Sequence, residues 1–408
     1  MLKIILIGFF ISIPLFSQEG RLEGQSESGF GFDFSRPQWV KNFSVEAKSS
    51  YESNYLNISK ENLSEIKNIN FKDQTLSSML LGLKTKFLFK PFEKYILINN
   101  FSVDAEVTQF SSELSDSNFS KPSLRVVNDL IGIIPLNSKH QLGHLIRASY
   151  VKDQSIEINA EIGKDVTAQI INQDHVLGAL NLFYQYKVGK FWTTRLDSGL
   201  RITSYENDYS SFTEVKGEKS DSLESSLSLK NNFNFSREFN FFVPVSYFKT
   251  YYRNRAALGS DGYFITSGAV ARDQLEKRTI TPGFKLRTPL GDFALSQGLI
   301  WHKDLNYGGR SYNGTLASFN YSLSLMEDKH VFYLEYEQID LDYDQALDEN
   351  REARRDKIQK YAANYTLKKV FNSSFDINVG YQYHNLQEGY LGGKFENEIY
   401  QIGLNYQL

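Results

Sequence analysis

The sequence Gln401-Ile402-Gly403-Leu404-Asn405-Tyr406-Gln407-Leu408 indicates the architecture of the whole chain. Counting back from Leu408, every second residue as far as Tyr400 is apolar or aromatic, and the residues between them are polar or glycine. Successive side chains of a β-strand point to opposite faces, so this strand has one apolar face and one polar face. Such a strand is typical of a membrane β-barrel wall, which separates lipid from water.

The same residues carry a second signal. The order polar, any, Gly, any, any, aromatic, any, hydrophobic resembles the C-terminal β-signal of Gram-negative outer-membrane β-barrel proteins of the porin-like kind. The matching residues are Gln401, Gly403, Tyr406 and Leu408, with Leu in the last position instead of the commoner Phe. In that family the outer-membrane assembly machinery reads this signal during insertion. The resemblance therefore implies an outer-membrane location and a barrel, and it implies no particular solute.

The two-residue period recurs along the chain from Trp39 onward. Apolar or aromatic residues alternate with polar ones over 43–52, 79–89, 223–235 and 375–384. The polar faces carry fixed charges on strand after strand, whereas the facing sides of a soluble sandwich are packed with apolar side chains. The pattern predicts an all-β fold, a transmembrane antiparallel barrel whose polar face lines a wet lumen.

Turn signals predict the number of strands. Short connections occur at 90–94, 137–139, 189–190, 236–238, 290–291, 327–329 and 371–373. Longer polar segments occur at 58–74, 110–122, 152–174, 206–221, 253–276, 304–312, 344–356 and 386–394. Seven short turns interleaved with eight long loops predict an up-and-down barrel of sixteen strands, with short periplasmic turns and long extracellular loops. Fourteen or eighteen strands are alternatives, because the alternation blurs across 123–136.

Composition excludes several other classes of protein. The chain has 408 residues, is 41% hydrophobic and has a mean hydropathy of -0.40, which is too polar for a bundle of membrane-spanning helices. The formal net charge of -3 shows no basic excess of the kind that nucleic-acid binding requires. The absence of cysteine rules out disulfides and thiolate chemistry.

The N-terminal region has the layout of an export signal. Lys3 supplies a positive charge, and residues 4–16 form an apolar run too short to span a bilayer. We predict a signal peptide over 1–17, with cleavage after Ser17. Residues 18–38 are predicted to be a flexible leader or a small plug that docks its phenylalanines in the lumen. Residues 39–408 then form the barrel as one domain.

Alternation also predicts which charged residues line the lumen. Sixteen strands enclose a space too wide for side chains to fill. The residues assigned to the lumen are Lys48, Lys84, Lys86, Asp104, Glu106, Arg147, Arg195, Asp197, Arg201, Lys230, Lys285, Arg287, Glu335, Glu337, Lys360 and Asp376. The full set that alternation places on this face also includes Lys368, Glu46, Glu52 and Glu224, which makes eleven basic and nine acidic residues and predicts no strong preference for anions or cations. Arranged as facing ladders they would set a transverse field; the alternative is that they pair with neighbours and only solvate the wall.

Asp340, Asp342 and Asp344 are the residues closest to a metal-binding pattern, since Ca²⁺ prefers oxygen ligands. A calcium loop starting at Asp340 would need Gly at its sixth position and Glu at its twelfth, and Gln345 and Arg351 stand there instead. We therefore expect these carboxylates to contact cation-bridged lipopolysaccharide, and we predict no metal site and no cofactor.

The sequence does not favour an enzyme. The six histidines are scattered, and neither a His-Glu-x-x-His pair nor a Gly-x-Ser-x-Gly elbow occurs. His302, beside Trp301, is the best catalytic candidate, but a lone histidine next to an aromatic residue is more typical of a membrane interface. We predict no catalytic residue.

These features together predict a porin-like channel for passive or weakly selective diffusion of small polar solutes. One alternative is a display barrel whose loops bind host or envelope ligands, as an adhesin does. Another is a transporter of hydrophobic solutes with residues 18–38 as its hatch. The expected partners are outer-membrane lipid, lipopolysaccharide and the assembly machinery, with no nucleic acid. A homo-oligomer would need an outer face of small residues, and the sequence does not single one out.

Replacing Tyr406 by Ser should lower the amount of folded barrel in the outer membrane, because it removes the aromatic residue of the assembly signal. Gln407→Ser on the other face of the same strand is the matched control and should leave the amount unchanged. The measurement is the heat-modifiable protein recovered from the outer-membrane fraction. Equal yields of the two variants would show that Tyr406 is not read as a signal.

Overall fold

The described part of the chain consists of β-strands and their connections. The computed structural model describes residues 40–53, 75–92, 94–110, 121–159, 167–172, 174–206, 221–256, 272–305, 311–347, 353–370, 374–387 and 394–407. The predicted signal peptide (1–17), the predicted leader (18–38) and Leu408 lie outside these ranges. Within them, no helix is long and apolar enough to cross a membrane.

The strands have the following bounds: β1 (Val40–Glu52), β2 (Leu76–Phe92), β3 (Tyr95–Phe110), β4 (Lys121–Pro135), β5 (His140–Lys152), β6 (Gln154–Asn159), β7 (Thr167–Asn172), β8 (His175–Val188), β9 (Trp192–Tyr205), β10 (Ser222–Asn234), β11 (Phe239–Ala256), β12 (Arg272–Ile280), β13 (Gly283–Thr288), β14 (Gly291–Asp304), β15 (Tyr312–Leu325), β16 (His330–Leu347), β17 (Ala353–Leu367), β18 (Phe375–Gln387) and β19 (Lys394–Gln407).

The wall is a closed antiparallel ring. Each wall strand pairs with the wall strands before and after it, and β19 returns to pair with β1 from Ser44↔Gln407 to Glu52↔Ile399. β12 and β13 are two parts of one wall strand, since both lie between β11 and β14. They are separated at Pro282, which has no N–H to donate to the ladder. β6 and β7 form a separate hairpin. The ring therefore has sixteen strands, and the predicted number is confirmed.

Local turn chemistry explains where the wall strands reverse. Asn137 Oδ1 accepts hydrogen bonds from the backbone N–H groups of Lys139 and His140 between β4 and β5. Ser236 Oγ does the same for Glu238 and Phe239 between β10 and β11. These side chains replace backbone partners in a tight turn. The strand ends that flank the seven predicted short turns lie at one end of the ring, and those that flank the eight predicted loops lie at the other. Most residues of those loops lie outside the described ranges.

The two faces of the wall differ in polarity. One face exposes large apolar side chains: Leu81 is 54% exposed, Ile202 59% and Leu404 51%. The opposite face carries acids such as Asp129 and Asp197, whose side chains are each only 16% exposed. Side chains spread apart on the convex side of a cylinder and crowd together on its concave side. The apolar face is therefore the outer one, as a barrel in lipid requires.

Aromatic side chains bound the apolar outer band at both edges. Near the short turns, the rings of Trp192 and Phe233 stack with centroids 6.0 Å apart, and those of Phe375 and Tyr406 lie 4.8 Å apart. The edge near the long loops is rich in tyrosine: Tyr51, Tyr336, Tyr361, Tyr381, Tyr383 and Tyr400. Aromatic belts at these two levels are characteristic of the membrane–water interfaces.

Two glycines of the outer face offer a matched test of packing. A Cβ on Gly132 would overlap the His144 ring and lie 2.6 Å from Tyr95 Oη, whereas a Cβ on Gly178 would meet no heavy atom within 4 Å. We expect Gly132→Ala to destabilise the barrel by about 1–3 kcal/mol, because the His144 ring must move. Gly178→Ala should be neutral or slightly stabilising. The stability of each variant is measured as the temperature at which the band of the folded barrel disappears on a gel. If Gly132→Ala and Gly178→Ala shift this temperature equally, the close packing at Gly132 is contradicted.

Candidate functional site: the charged inner face

All of the charged residues predicted to line a lumen lie on the inner face. The register places each of them on the side of the wall opposite to the exposed leucines, with Arg287 and Asp376 at the rim near the short turns. Charged residues often stand directly opposite one another on adjacent strands. These cross-strand pairs are Asp104 and Arg125, Asp129 and Arg147, Arg195 and Lys230, Arg201 and Glu224, and Glu337 and Lys360.

Ion pairs hold part of this face in place near the seam of the ring. Lys84 Nζ lies 2.7 Å from Glu46 Oε2. Arg147 donates two hydrogen bonds of 2.7 Å to the two carboxylate oxygens of Asp129, the bidentate geometry that suits a guanidinium. Lys86, two residues from Lys84, has no ion-pair partner within the described residues. The face therefore combines fixed ion pairs with at least one charge open to solvent.

A second cluster lies on β8, β9 and β10. Arg195 donates to Asp197 Oδ1 at 2.6 Å, and Lys230 Nζ lies 3.5 Å from Asp197 Oδ2. The Arg195 guanidinium also lies 3.9 Å above the ring of Phe183, which is only 6% exposed. The ring fits closely over Gly143, where an added Cβ would overlap it. Two cations share one carboxylate here, so the cluster is net positive.

The opposite side of the ring carries acids. β16 lies eight strands from β5 in the order of pairing, so the two strands stand across the interior from each other. β16 contributes Glu335 and Glu337, while β5 contributes Arg147. Glu337 has only a distant ion pair with Lys360, at 3.6 Å. The inner face therefore has a mainly cationic side on β2 to β10 and an acidic patch facing it.

The alternation on β16 changes its phase part way along the strand. In the first part of the strand, the outer face carries the apolar or aromatic residues Phe332, Leu334 and Tyr336. Beyond Gln338, the outer face carries Asp340, Asp342 and Asp344, and the apolar residues now lie on the inner face. Sequence reasoning missed this change because the period remains two while the polar residues exchange faces. The signal was present in two successive polar residues, Glu337 and Gln338.

The three alternating aspartates do not converge. Asp340 accepts a hydrogen bond from the Gln338 amide at 2.6 Å, Asp342 pairs with Arg355 at 3.2 Å, and Asp344 accepts from Asn313 at 3.0 Å. Each carboxylate thus has its own neighbour on the outer face. Over the described ranges, no group of three acidic, histidine or cysteine side chains is placed to hold a metal ion.

His302, the best catalytic candidate from the sequence, lies on the inner face of β14. Its ring stacks on that of Tyr312 with centroids 4.6 Å apart and planes inclined by 12°. The neighbouring ring of Tyr343 lies 5.4 Å beyond Tyr312. The side chain is therefore part of an aromatic row on the wall.

Comparisons with known proteins gave structural likenesses and no sequence family. No family model matches the chain, and no curated protein matches it. Among solved structures, OccAB4 of Acinetobacter baumannii is 11% identical over 90% of this chain and 97% of that one, with a TM-score of 0.49. CdiB of the same organism is 12% identical over 91% of this chain and 60% of that one, also with a TM-score of 0.49.

The outer membrane protein OpdK of Pseudomonas aeruginosa is a further similar structure, 9% identical over 90% of this chain and 98% of that one, with a TM-score of 0.43. At these identities and TM-scores, no conclusion about this chain rests on the likeness. The chain itself forms a closed ring of sixteen strands. The outer face of the ring is apolar with aromatic residues at its edges, and the inner face is charged, as in a membrane barrel. The chain is a closed antiparallel β-barrel of sixteen strands with an apolar outer face and a charged inner face.

Proposed function

We propose that the barrel is a channel for passive, weakly selective diffusion of small polar solutes across the outer membrane. The observation that carries this proposal is the charged inner face, on which ion pairs such as Lys84–Glu46 and Arg147–Asp129 remain partly exposed. Barrels of sixteen strands are wide enough to enclose an aqueous channel. Charges on such a wall favour water and polar solutes over lipid.

The arrangement of charge supports weak selectivity. Many cations on β2 to β10 are neutralised by a carboxylate within a few ångströms, which limits any preference for anions. Across the interior from Arg147, Glu335 and Glu337 supply the opposite sign. A field directed across the channel would orient dipolar solutes during passage. In this proposal the sixteen predicted lumen residues act as the lining that tunes solute passage.

Location and partners belong to the same proposal. The predicted signal peptide would direct export, and Gln401, Gly403, Tyr406 and Leu408 would be read by the assembly machinery. The apolar outer band and its tyrosine edge suit contact with outer-membrane lipid and lipopolysaccharide. The function requires no catalytic step, cofactor or nucleic acid.

Single-channel recording of the purified, reconstituted protein tests the channel directly. We expect discrete conductance steps that are linear with voltage, because a fixed aqueous path has a constant resistance. Persistent silence after verified insertion would contradict the channel and favour a barrel that only displays its loops. A heat-denatured sample of the same preparation serves as the control for contaminating porins.

Replacing both Lys84 and Lys86 by Gln should shift ion selectivity towards cations. The two changes remove positive charge from the inner face and leave Glu46 without its partner at 2.7 Å. At about 0.1 M salt, we expect the cation-to-anion permeability ratio to rise roughly twofold to threefold. The measurement is the reversal potential in a salt gradient. Lys357→Gln is the matched control, since Lys357 lies on the outer face opposite Asp340.

An unchanged reversal potential in the double variant, with conductance still present, would show that Lys84 and Lys86 do not face the ion path. A shift of the same size in Lys357→Gln would show that the effect reflects surface charge in general.

A further inference from the structure

The inner face of β14 to β17 carries an apolar strip at the end near the long loops. The strip consists of Leu316, Ile339, Leu341 and Ile358, which are half-buried, and of Ile300 at its edge, which is only 8% exposed. Cross-strand register joins these residues: Leu316 stands opposite Ile339, and Ile339 opposite Ile358. A Cβ on Gly314, the residue between Ile300 and Leu341 in the same row, would lie 2.8 Å from Leu341 Cδ2 and 3.6 Å from Ile300 Cβ.

The strip lies above the membrane band. On the outer face of the same strands, Gln338, Gln359 and Asn385 form a ladder of hydrogen bonds of 3.2–3.3 Å. Lys357 and Asp340 follow beyond the ladder, opposite each other in the register. Amides and charges on the outer face mean that this part of the wall has water outside it. Because the outer face is polar here, the apolar side chains of this part of the strands lie on the inner face.

Charged and aromatic residues bound the strip on both sides. Towards the channel, Glu337 and Lys360 lie 3.6 Å apart. Towards the long loops, Tyr343 lies under the Arg354 guanidinium at 4.6 Å, and Arg354 is itself held by Asp356 at 2.7 Å. An apolar surface between two polar edges is complementary to a molecule with an apolar middle and polar ends.

The dimensions of the strip limit the size of its occupant. Glu337 and Tyr343 are the inner-face residues at the two edges on β16, and at about 3.3 Å per residue they stand about 20 Å apart. The two apolar rows between them leave room for a body of one or two rings, or for a short branched alkyl group. Leu316, Ile339, Leu341 and Ile358 each still expose part of their apolar surface to the interior, and removing that surface from water is favourable.

We propose that the apolar strip binds the apolar body of an amphipathic solute whose polar ends contact the Glu337–Lys360 edge and the Arg354 guanidinium. This inference rests on the proposed channel function and names the class of solute that the channel prefers. The strip holds such a solute at the outer mouth before it reaches the charged wall below. Purely polar solutes of the same size pass without being held.

Occlusion of single-channel current by matched sugars tests the proposal. The probes are phenyl β-glucoside, which joins a ring to a sugar, glucose, which lacks the ring, and maltose, a larger polar control. We expect phenyl β-glucoside to occlude the current about tenfold more tightly than glucose or maltose, because its ring is removed from water. Equal occlusion by all three, with normal open-channel conductance, would overturn the proposal and leave the channel intact.

A pair of variants assigns the effect to the strip. Ile339→Ser combined with Leu341→Ser should reduce the preference for phenyl β-glucoside to within about twofold of glucose. Leu80→Ser makes the same kind of change on the inner face of β2 and should preserve the preference. The open-channel conductance shows whether each variant is folded, and Leu316→Ser provides a milder change if the double variant is not. Retention of the full preference in a folded double or single strip variant would overturn the assignment.

Two further measurements determine whether a solute or the leader covers the strip. Equilibrium dialysis of phenyl β-glucoside against the purified protein reports binding even if no conductance is found, so failure of the channel and failure of the strip are distinguished. A preference that appears only after deletion of residues 18–38, with the signal peptide kept, would show that the leader covers the strip in the intact protein. That result would overturn the assignment of the strip to a solute.

Discussion

Closure of the ring through β1 and β19 is the constraint on which the rest of the structure depends. Hydrocarbon offers no partners for backbone N–H and C=O groups, so a sheet can cross a membrane only when it has no free edge. The register from Ser44↔Gln407 to Glu52↔Ile399 supplies the last set of partners. Because the ring is closed, every wall strand has one side towards lipid and one towards the interior, and side-chain chemistry must follow that division along the whole membrane band.

The membrane boundary is visible in the side chains themselves. Tyrosines such as Tyr336 and Tyr361, with ring centroids 4.9 Å apart, mark the level where the outer face changes from apolar to polar. Beyond this level the solvent outside the wall is water, and the outer face carries Gln338, Asp340 and Lys357. A strand that continues past the boundary must reverse the chemistry of its two faces. That requirement explains both the aspartates outside and the apolar strip inside.

The interior therefore offers two different environments along one path. At the end near the long loops, Leu316, Ile339 and their neighbours form the apolar strip. Deeper in the barrel, the wall carries paired charges, with two cations sharing Asp197 on one side and Glu335 on the other. In the proposed channel, a solute would meet the apolar strip first and the charged wall second. Neither environment needs a moving part.

Much of this protein was determined by its sequence alone. The number of wall strands and the face occupied by each of the sixteen charged residues assigned to the lumen follow from a period of two, although the exchange of faces along β16 was missed. Short turns follow from residues such as Asn137 and Ser236, which act locally. Tertiary structure alone decided that Pro282 interrupts one wall strand without ending it, that Arg195 lies on Phe183, and that Ile300, Leu316 and Ile358 form one surface with Ile339. These features depend on the register between strands that are far apart in the chain, and register is set by the closed ring as a whole.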